Sequence, residues 1–127
     1  MNLNNEEYKV LRKKTEKKLK EYPYYIMSIE MPDLKGGTNF GEVTSKTNKF
    51  SSSVESSVMD LDYMKNIVKA IDYVLERLDD MSRRIIETAY FRDDIDKEDV
   101  QSELMIDRNK YYRLKKKAVE KFMIVLS

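Results

Sequence analysis

The chain has 127 residues, 41% hydrophobic and 37% charged, which fits one small globular domain, alone or with an appended arm. It contains no cysteine and no histidine, which excludes disulfides, zinc sites and histidine-based acid–base catalysis, so we expect a protein that is not an enzyme and uses no cofactor. The net charge of +1 hides an uneven distribution: residues 1–22 carry +3, residues 23–106 carry −7 and residues 107–127 carry +5, a pattern that points to nucleic acid or another anionic surface.

The sequence has no feature of a membrane or secreted protein. No apolar run approaches the roughly 20 residues that a membrane-spanning helix needs, and the first residues lack the basic and apolar regions of a signal peptide. We therefore expect no membrane contact and a cytoplasmic location.

Residues 1–31 predict a basic helical arm. A first helix is expected over about residues 6–21, with Asn5 as its N-cap and with its end before Pro23, because proline cannot continue a helix. Its basic residues either contact DNA or form a solvated face. They are Lys9, Arg12, Lys13, Lys14, Lys17 and Lys18.

An aromatic segment follows the first helix and predicts a short second helix that reaches toward Met31. Its tyrosines are Tyr22, Tyr24 and Tyr25. They could stack on bases or on a partner, but packing against the first helix is the favoured interpretation.

Residues 32–53 predict a flexible linker, because they hold all three glycines of the chain and end in three serines. Residues 54–127 then form the predicted helical domain. It should open with a long helix from about Ser53 to Leu78, preceded by an S-x-x-E capping box at Ser52. The apolar positions of this helix are numerous enough to cover the core and to pair with a second copy, so a homo-oligomer is expected.

Three shorter helices complete the prediction, over about residues 82–91, 97–104 and 108–126. Asp96 and Asp107 precede the second and third of them, where a carboxylate accepts hydrogen bonds from free backbone N–H groups. The residues expected on the core face of the last helix are Tyr111, Leu114, Ala118, Phe122 and Val125.

A helix-turn-helix is predicted within about residues 80–126. Residues 103–118 join a short helix to a longer one through a turn of three to four residues, which is the spacing of this motif. Ile106 should fill the core between the two helices. The last helix would then be the recognition helix that enters the major groove of DNA.

The face of that helix opposite the core predicts the DNA contacts. Arginine pairs with the guanine edge and asparagine with the adenine edge, whereas lysine suits phosphates. The predicted base contacts are Arg108, Asn109, Tyr112 and Arg113. The predicted phosphate contacts are Lys110, Lys116, Lys117, Arg83 and Arg84. The simpler alternative is a solvated basic face on a core helix, and a membrane-surface helix is disfavoured by its narrow apolar front.

An acidic patch precedes and begins the second of these helices. Its members are Asp93, Asp94, Asp96, Glu98 and Asp99. The spacing is not that of an EF-hand loop, and acidic residues favour helix N-termini. A solvated helix start is therefore favoured over a metal site, and a contact surface for RNA polymerase is a third alternative.

Two stretches resemble sigma-factor region 4, residues 78–91 its first helices and residues 106–122 its recognition helix. Residues 19–25, Leu-Lys-Glu-Tyr-Pro-Tyr-Tyr, are similar to the segment that opens the RinA/ArpU family of phage late-gene transcription activators. Members of that family pair such an arm with a Gly/Ser/Thr-rich linker, a long helix and a sigma-like unit. The resemblance implies an all-α regulator that binds double-stranded DNA at a promoter or operator and activates phage or prophage late genes with bacterial RNA polymerase in the host cytoplasm.

Two residues depart from the helix-turn-helix pattern. Met105 occupies a turn position that is commonly glycine, so the turn should form without an easy positive φ. Gln101 stands where a small residue usually packs between the helices, which puts the helix angle in question. The alternative function is a sigma-like helical adaptor that binds RNA polymerase or another regulator without contacting DNA.

Overall fold

The computed structural model describes residues 3–31 and 47–127, with side chains for residues 3–31 and 61–127. Every regular element in these ranges is helical, which confirms the predicted all-α class. The α-helices are α1 (Asn5–Glu30), α2 (Thr47–Leu75), α3 (Asp80–Ile86), α4 (Lys97–Leu104) and α5 (Arg108–Leu126), and a π-helical turn (Glu87–Phe91) continues α3. None of the helices in the described ranges has the length and hydropathy needed to cross a bilayer.

The first helix begins with a reciprocal cap. The Asn4 side chain accepts a hydrogen bond from the Glu7 backbone N–H at 2.8 Å, and the Glu7 carboxylate accepts one from the Asn4 N–H at 3.1 Å. This is a capping box, in which two otherwise free backbone donors are satisfied together. Asn4 is therefore the N-cap, and the assignment of Asn5 was wrong by one residue.

The prediction that the helix ends before Pro23 was wrong, since α1 runs through this residue to Glu30. Proline removes one backbone hydrogen bond and strains the preceding turn. Tertiary packing of the residues just before Pro23 opposes that cost. Leu19 is fully buried, and the Tyr22 ring stacks on Phe91 with centroids 4.6 Å apart.

The predicted N-terminal arm is in fact part of the core. Leu19 is buried to 0% exposure in one cluster with side chains of α2 and α5. The Tyr8 hydroxyl donates to the Glu120 carboxylate at 2.8 Å, and the Lys18 ammonium donates to the Leu126 carbonyl at 3.0 Å. These contacts hold α1 along α5.

The aromatic segment of α1 packs, but on other elements than predicted. Tyr22 donates a short hydrogen bond to Asp72 of α2 in addition to its stacking on the π-helical turn. Tyr25 meets Tyr63 of α2 edge-on at 6.3 Å. Tyr24 is 68% exposed, so the packing role holds for two of the three tyrosines.

The second helix begins at Thr47, earlier than expected. The last part of the predicted linker, residues 47–53, is therefore helical, and Ser52 lies inside the helix instead of capping it. The rest of that linker, residues 32–46, lies outside the described residues. The apolar face of α2 in residues 61–75 is buried within the chain. This part of the helix therefore gives no support to the prediction that it pairs with a second copy.

The described core divides into two clusters. The larger one lies where α1, α2 and α5 meet, and its fully buried residues include Leu19, Ile71 and Phe122. The smaller one lies between α3, α4 and the start of α5 and consists of Ile85, Val100 and Tyr111. Because α5 contributes to both clusters, packing in the larger one fixes the direction in which the start of α5 points.

Candidate nucleic-acid interface

The turn between α4 and α5 is closed by a Schellman motif. The Ile106 N–H donates to the Gln101 carbonyl at 3.0 Å, and the Met105 N–H donates to the Ser102 carbonyl at 3.2 Å. Met105 adopts φ 57° and ψ 45°, so the positive φ expected to be difficult here is present. A non-glycine residue in this region costs about 1–2 kcal/mol.

The start of α5 is capped as predicted. The Asp107 carboxylate accepts a hydrogen bond from the Lys110 backbone N–H at 2.7 Å. Asp96 occupies the corresponding position before α4, but its side chain accepts no capping hydrogen bond. The backbone N–H groups at the start of α4 therefore point out of the helix without a side-chain acceptor from Asp96.

The core face of α5 follows the predicted phase for most of its length. Tyr111, Ala118 and Phe122 are at most 2% exposed, and Leu114 is half-buried. Val125 was predicted to face inward but is 37% exposed, and Leu126 is buried instead. The buried face shifts at this end because α1 covers a second side of the helix.

The opposite face of α5 presents polar and basic side chains to solvent. Asn109, Lys110, Arg113 and Lys117 are all exposed there, as the sequence predicts. Within residues 3–31 and 61–127, none of these four side chains forms an ion pair. An ion pair with a carboxylate would have to be broken before DNA could bind. The absence of such pairs at these side chains therefore favours contact with an external anion or base.

Two predicted phosphate contacts have intramolecular partners. The Arg83 guanidinium donates to the Leu75 and Leu78 carbonyls, both at 3.0 Å, and thereby supplies a donor to acceptors at and just after the end of α2. The Arg84 guanidinium forms a two-pronged pair with the Glu103 carboxylate at 2.8 and 2.9 Å. These contacts leave no support for a phosphate role at either arginine.

Tyr112 lies on the flank of α5 and not at the centre of its outward face. It is half-buried and meets Tyr111 edge-on at 5.1 Å. The Lys97 ammonium of α4 lies 5.5 Å from its ring centroid and holds the pKa of the Tyr112 hydroxyl below its usual range. Arg108 is exposed on the same flank, 5.7 Å from the ring. Lys97 was not among the contacts predicted from the sequence, although it is the first residue of the predicted 97–104 helix.

The outward face of α5 meets α1 at one edge. Glu120 lies at this edge and accepts the hydrogen bond from Tyr8 of α1. Lys116 is exposed and lies 5.8 Å from the Tyr8 ring. This lysine therefore stands at the border between the outward face and α1.

The acidic patch before α4 is partly paired. The Asp94 carboxylate accepts two hydrogen bonds from Arg92, at 3.0 and 2.8 Å, and this pairing lowers the pKa of Asp94. Glu98 and Asp99 lie in the first turn of α4, where acidic residues are favourable. The described part of the chain contains no cluster of carboxylates arranged to hold a metal ion.

Comparison of the chain with protein-family models, with curated proteins and with solved structures finds no match.

Proposed function

We propose that the chain binds double-stranded DNA sequence-specifically through α4 and α5 and regulates transcription. The observation that carries the proposal is the outward face of α5, where exposed amide and cationic side chains lie together without an ion-pair partner among the described side chains. The capped start of this helix and the tight turn before it favour insertion of its first turns into the major groove.

The proposed contacts follow from side-chain chemistry. Arg113 donates two hydrogen bonds to guanine, and Asn109 pairs with adenine. Lys110 and Lys117 flank these residues and suit backbone phosphates, with Lys116 as a further contact at the α1 edge. Arg83 and Arg84 are not part of the proposed surface, because each is held by groups of the chain itself.

The resemblance to the RinA/ArpU activators supports a more specific role. Under this proposal the DNA is a phage or prophage promoter, and the regulator activates late genes together with bacterial RNA polymerase. One recognition helix with about three phosphate contacts gives a log–log salt slope near −2.7, and so few contacts leave a lone monomer with weak binding at physiological salt. RNA polymerase is favoured as the second source of affinity, because the described apolar face of α2 is occupied within the chain.

One observation favours the alternative of an adaptor that binds RNA polymerase without touching DNA. Tyr24, Met27 and Met31 form an exposed stripe at the end of α1, with 68%, 61% and 50% exposure. Exposed apolar groups in one row are typical of protein-binding surfaces. This surface lies on the first helix, so it does not exclude DNA binding by α5.

The test is selection of bound duplexes from a random pool, followed by affinity measurement with the selected and a scrambled duplex. Arg113→Glu should abolish the preference for the selected duplex. The matched control is Lys69→Glu, which makes the same charge change at an exposed residue of α2. The proposed function is wrong if Arg113→Glu prefers the selected duplex over the scrambled one as strongly as Lys69→Glu does. It is also wrong if the native chain selects no duplex.

A further inference from the structure

Three cations from two helices surround a single aromatic ring. The Tyr112 ring centroid lies 5.5 Å from the Lys97 ammonium, 5.7 Å from the Arg108 guanidinium and 5.9 Å from the Lys115 ammonium. Lys97 is the first residue of α4 and Arg108 is the first residue of α5. The folding of the helix-turn-helix therefore assembles this group, which we call the Tyr112 cluster.

The cations of the Tyr112 cluster have carboxylates in their surroundings but no ion-pair partner. In the described ranges none of the three cations forms an ion pair. Glu98 favours the charged form of Lys97 and Glu16 that of Lys115, but Glu16 already accepts hydrogen bonds from Tyr90 and Arg12. Like charges without a paired counter-charge are stabilised when an anion binds.

Two titratable groups of the cluster respond to this excess of positive charge. The pKa of the Tyr112 hydroxyl is lowered mainly by Lys97 and further by Arg108 and Lys115. Burial lowers the pKa of the Lys115 ammonium, and neighbouring cations add to the effect. A bound anion would move both groups back toward their usual values.

The surroundings leave room for an anion with hydrogen-bond acceptors. Lys97 and Lys115 also line a groove of about 830 Å³ between α1, the π-helical turn, α4 and α5, whose lining includes the carboxylates of Asp93, Asp96 and Glu98 as well. The first backbone N–H groups of α4 donate no hydrogen bond to the Asp96 side chain. Free N–H groups at a helix start favour negative charge, so they add to the field of the cluster.

The geometry points to a seat for one phosphate of the DNA backbone, held by Lys97, Arg108, Lys115 and the hydroxyl of Tyr112. This inference rests on the proposed function, since it names the part of the DNA that the flank of α5 binds. It reassigns Arg108 and Tyr112 from base contacts to a backbone contact. Base selection is then left to Asn109 and Arg113 on the outward face.

The first test separates a phosphate contact from a base contact. Lys97→Gln should weaken binding to the selected and to the scrambled duplex by the same factor and reduce the log–log salt slope by at most about 0.9, because Arg108 and Lys115 remain beside the phosphate. Lys69→Gln, which removes an equal charge from α2, should leave the slope unchanged. Lys97 is exposed, so a thermal melt should confirm that its variant is folded.

The second test locates the phosphate. A series of duplexes carries one neutral methylphosphonate linkage each, at successive positions. At one position the neutral linkage should lower the affinity of the native protein without further lowering the affinity of Lys97→Gln. The phenolate absorbance of the native chain minus that of Tyr112→Phe isolates this residue among the nine tyrosines. The duplex should shift this difference titration to higher pH.

The outcomes distinguish the two proposals. If the duplex binds but Lys97→Gln keeps the slope of Lys69→Gln, the phosphate seat is wrong and the proposed function stands. If the native chain binds no duplex, the proposed function fails and the seat fails with it. If inorganic phosphate alone shifts the Tyr112 titration as far as the duplex does, the cluster is a site for a free anion, and its assignment to the DNA backbone is overturned.

Discussion

The role of α1 in the core predicts a large effect of Leu19→Ala. Leu19 is fully buried in the cluster where α1, α2 and α5 meet. Burial of a leucine side chain contributes about 1.5–3 kcal/mol. Its neighbours belong to three helices and cannot all collapse into the space, so the cavity raises the total cost to about 3–5 kcal/mol.

A loss of this size is a large fraction of the roughly 5–15 kcal/mol that stabilises a small domain. For a chain of this length the melting temperature should fall on the order of 10–20 °C. The assay is thermal and urea unfolding followed by circular dichroism. The control is Val10→Ala, at a position of the same helix that is 53% exposed, which should change stability by at most about 0.5 kcal/mol.

DNA affinity provides a second readout of the same substitution. Because α5 extends from the larger cluster into the smaller one with α3 and α4, a defect at Leu19 should weaken DNA binding well below the melting temperature. Equal melting temperatures for Leu19→Ala and Val10→Ala would refute the docking of α1, and the N-terminal segment would then be a solvated arm.

Three further predictions test individual contacts. Met105→Gly should stabilise the chain by about 0.5–1 kcal/mol in urea unfolding, because glycine relieves the left-handed conformation but adds freedom to the unfolded state, and a destabilised variant would refute the turn geometry. Lys117→Gln should reduce the salt slope of DNA binding by about 0.9, whereas Arg84→Gln should leave it unchanged since Glu103 holds that arginine, and equal slopes would contradict this division of roles. The backbone N–H of Ser82 lowers the pKa of Asp79, so the stabilisation of the fold by this carboxylate is complete above the usual carboxyl pKa and is lost as the pH falls through the lowered value. Asp79→Asn keeps the cap and should therefore lose less stability in acid than the native chain. An unchanged acid transition would exclude this contribution.

Local signals were sufficient for the last two helices. The observed bounds of α4 and α5 agree with the predicted ones, because apolar periodicity and an acidic residue before each helix mark their starts. The cap at Asp107 and the burial of Tyr111 and Phe122 followed from the same pattern. These features depend on neighbours within one or two helical turns.

Features that depend on distant neighbours were not predictable in the same way. Pro23 predicts a helix end by its own chemistry, and only the packing of Leu19 and Tyr22 on other elements explains why α1 continues. The sequence shows Arg84 only as a cation available for DNA. Its partner Glu103 lies on another helix, so the ion pair becomes visible only in the fold. The Tyr112 cluster likewise required the relative position of α4 and α5.

The most direct measurement of the central claim is the backbone amide spectrum of the isotope-labelled chain during titration with its selected duplex. The account predicts that the shifts concentrate at Asn109, Lys110, Arg113 and Lys117 on the outward face of α5, and that Lys69 on α2 remains unchanged. Shifts confined to the exposed stripe at the end of α1, or no shifts at any duplex concentration, would contradict DNA binding by α5.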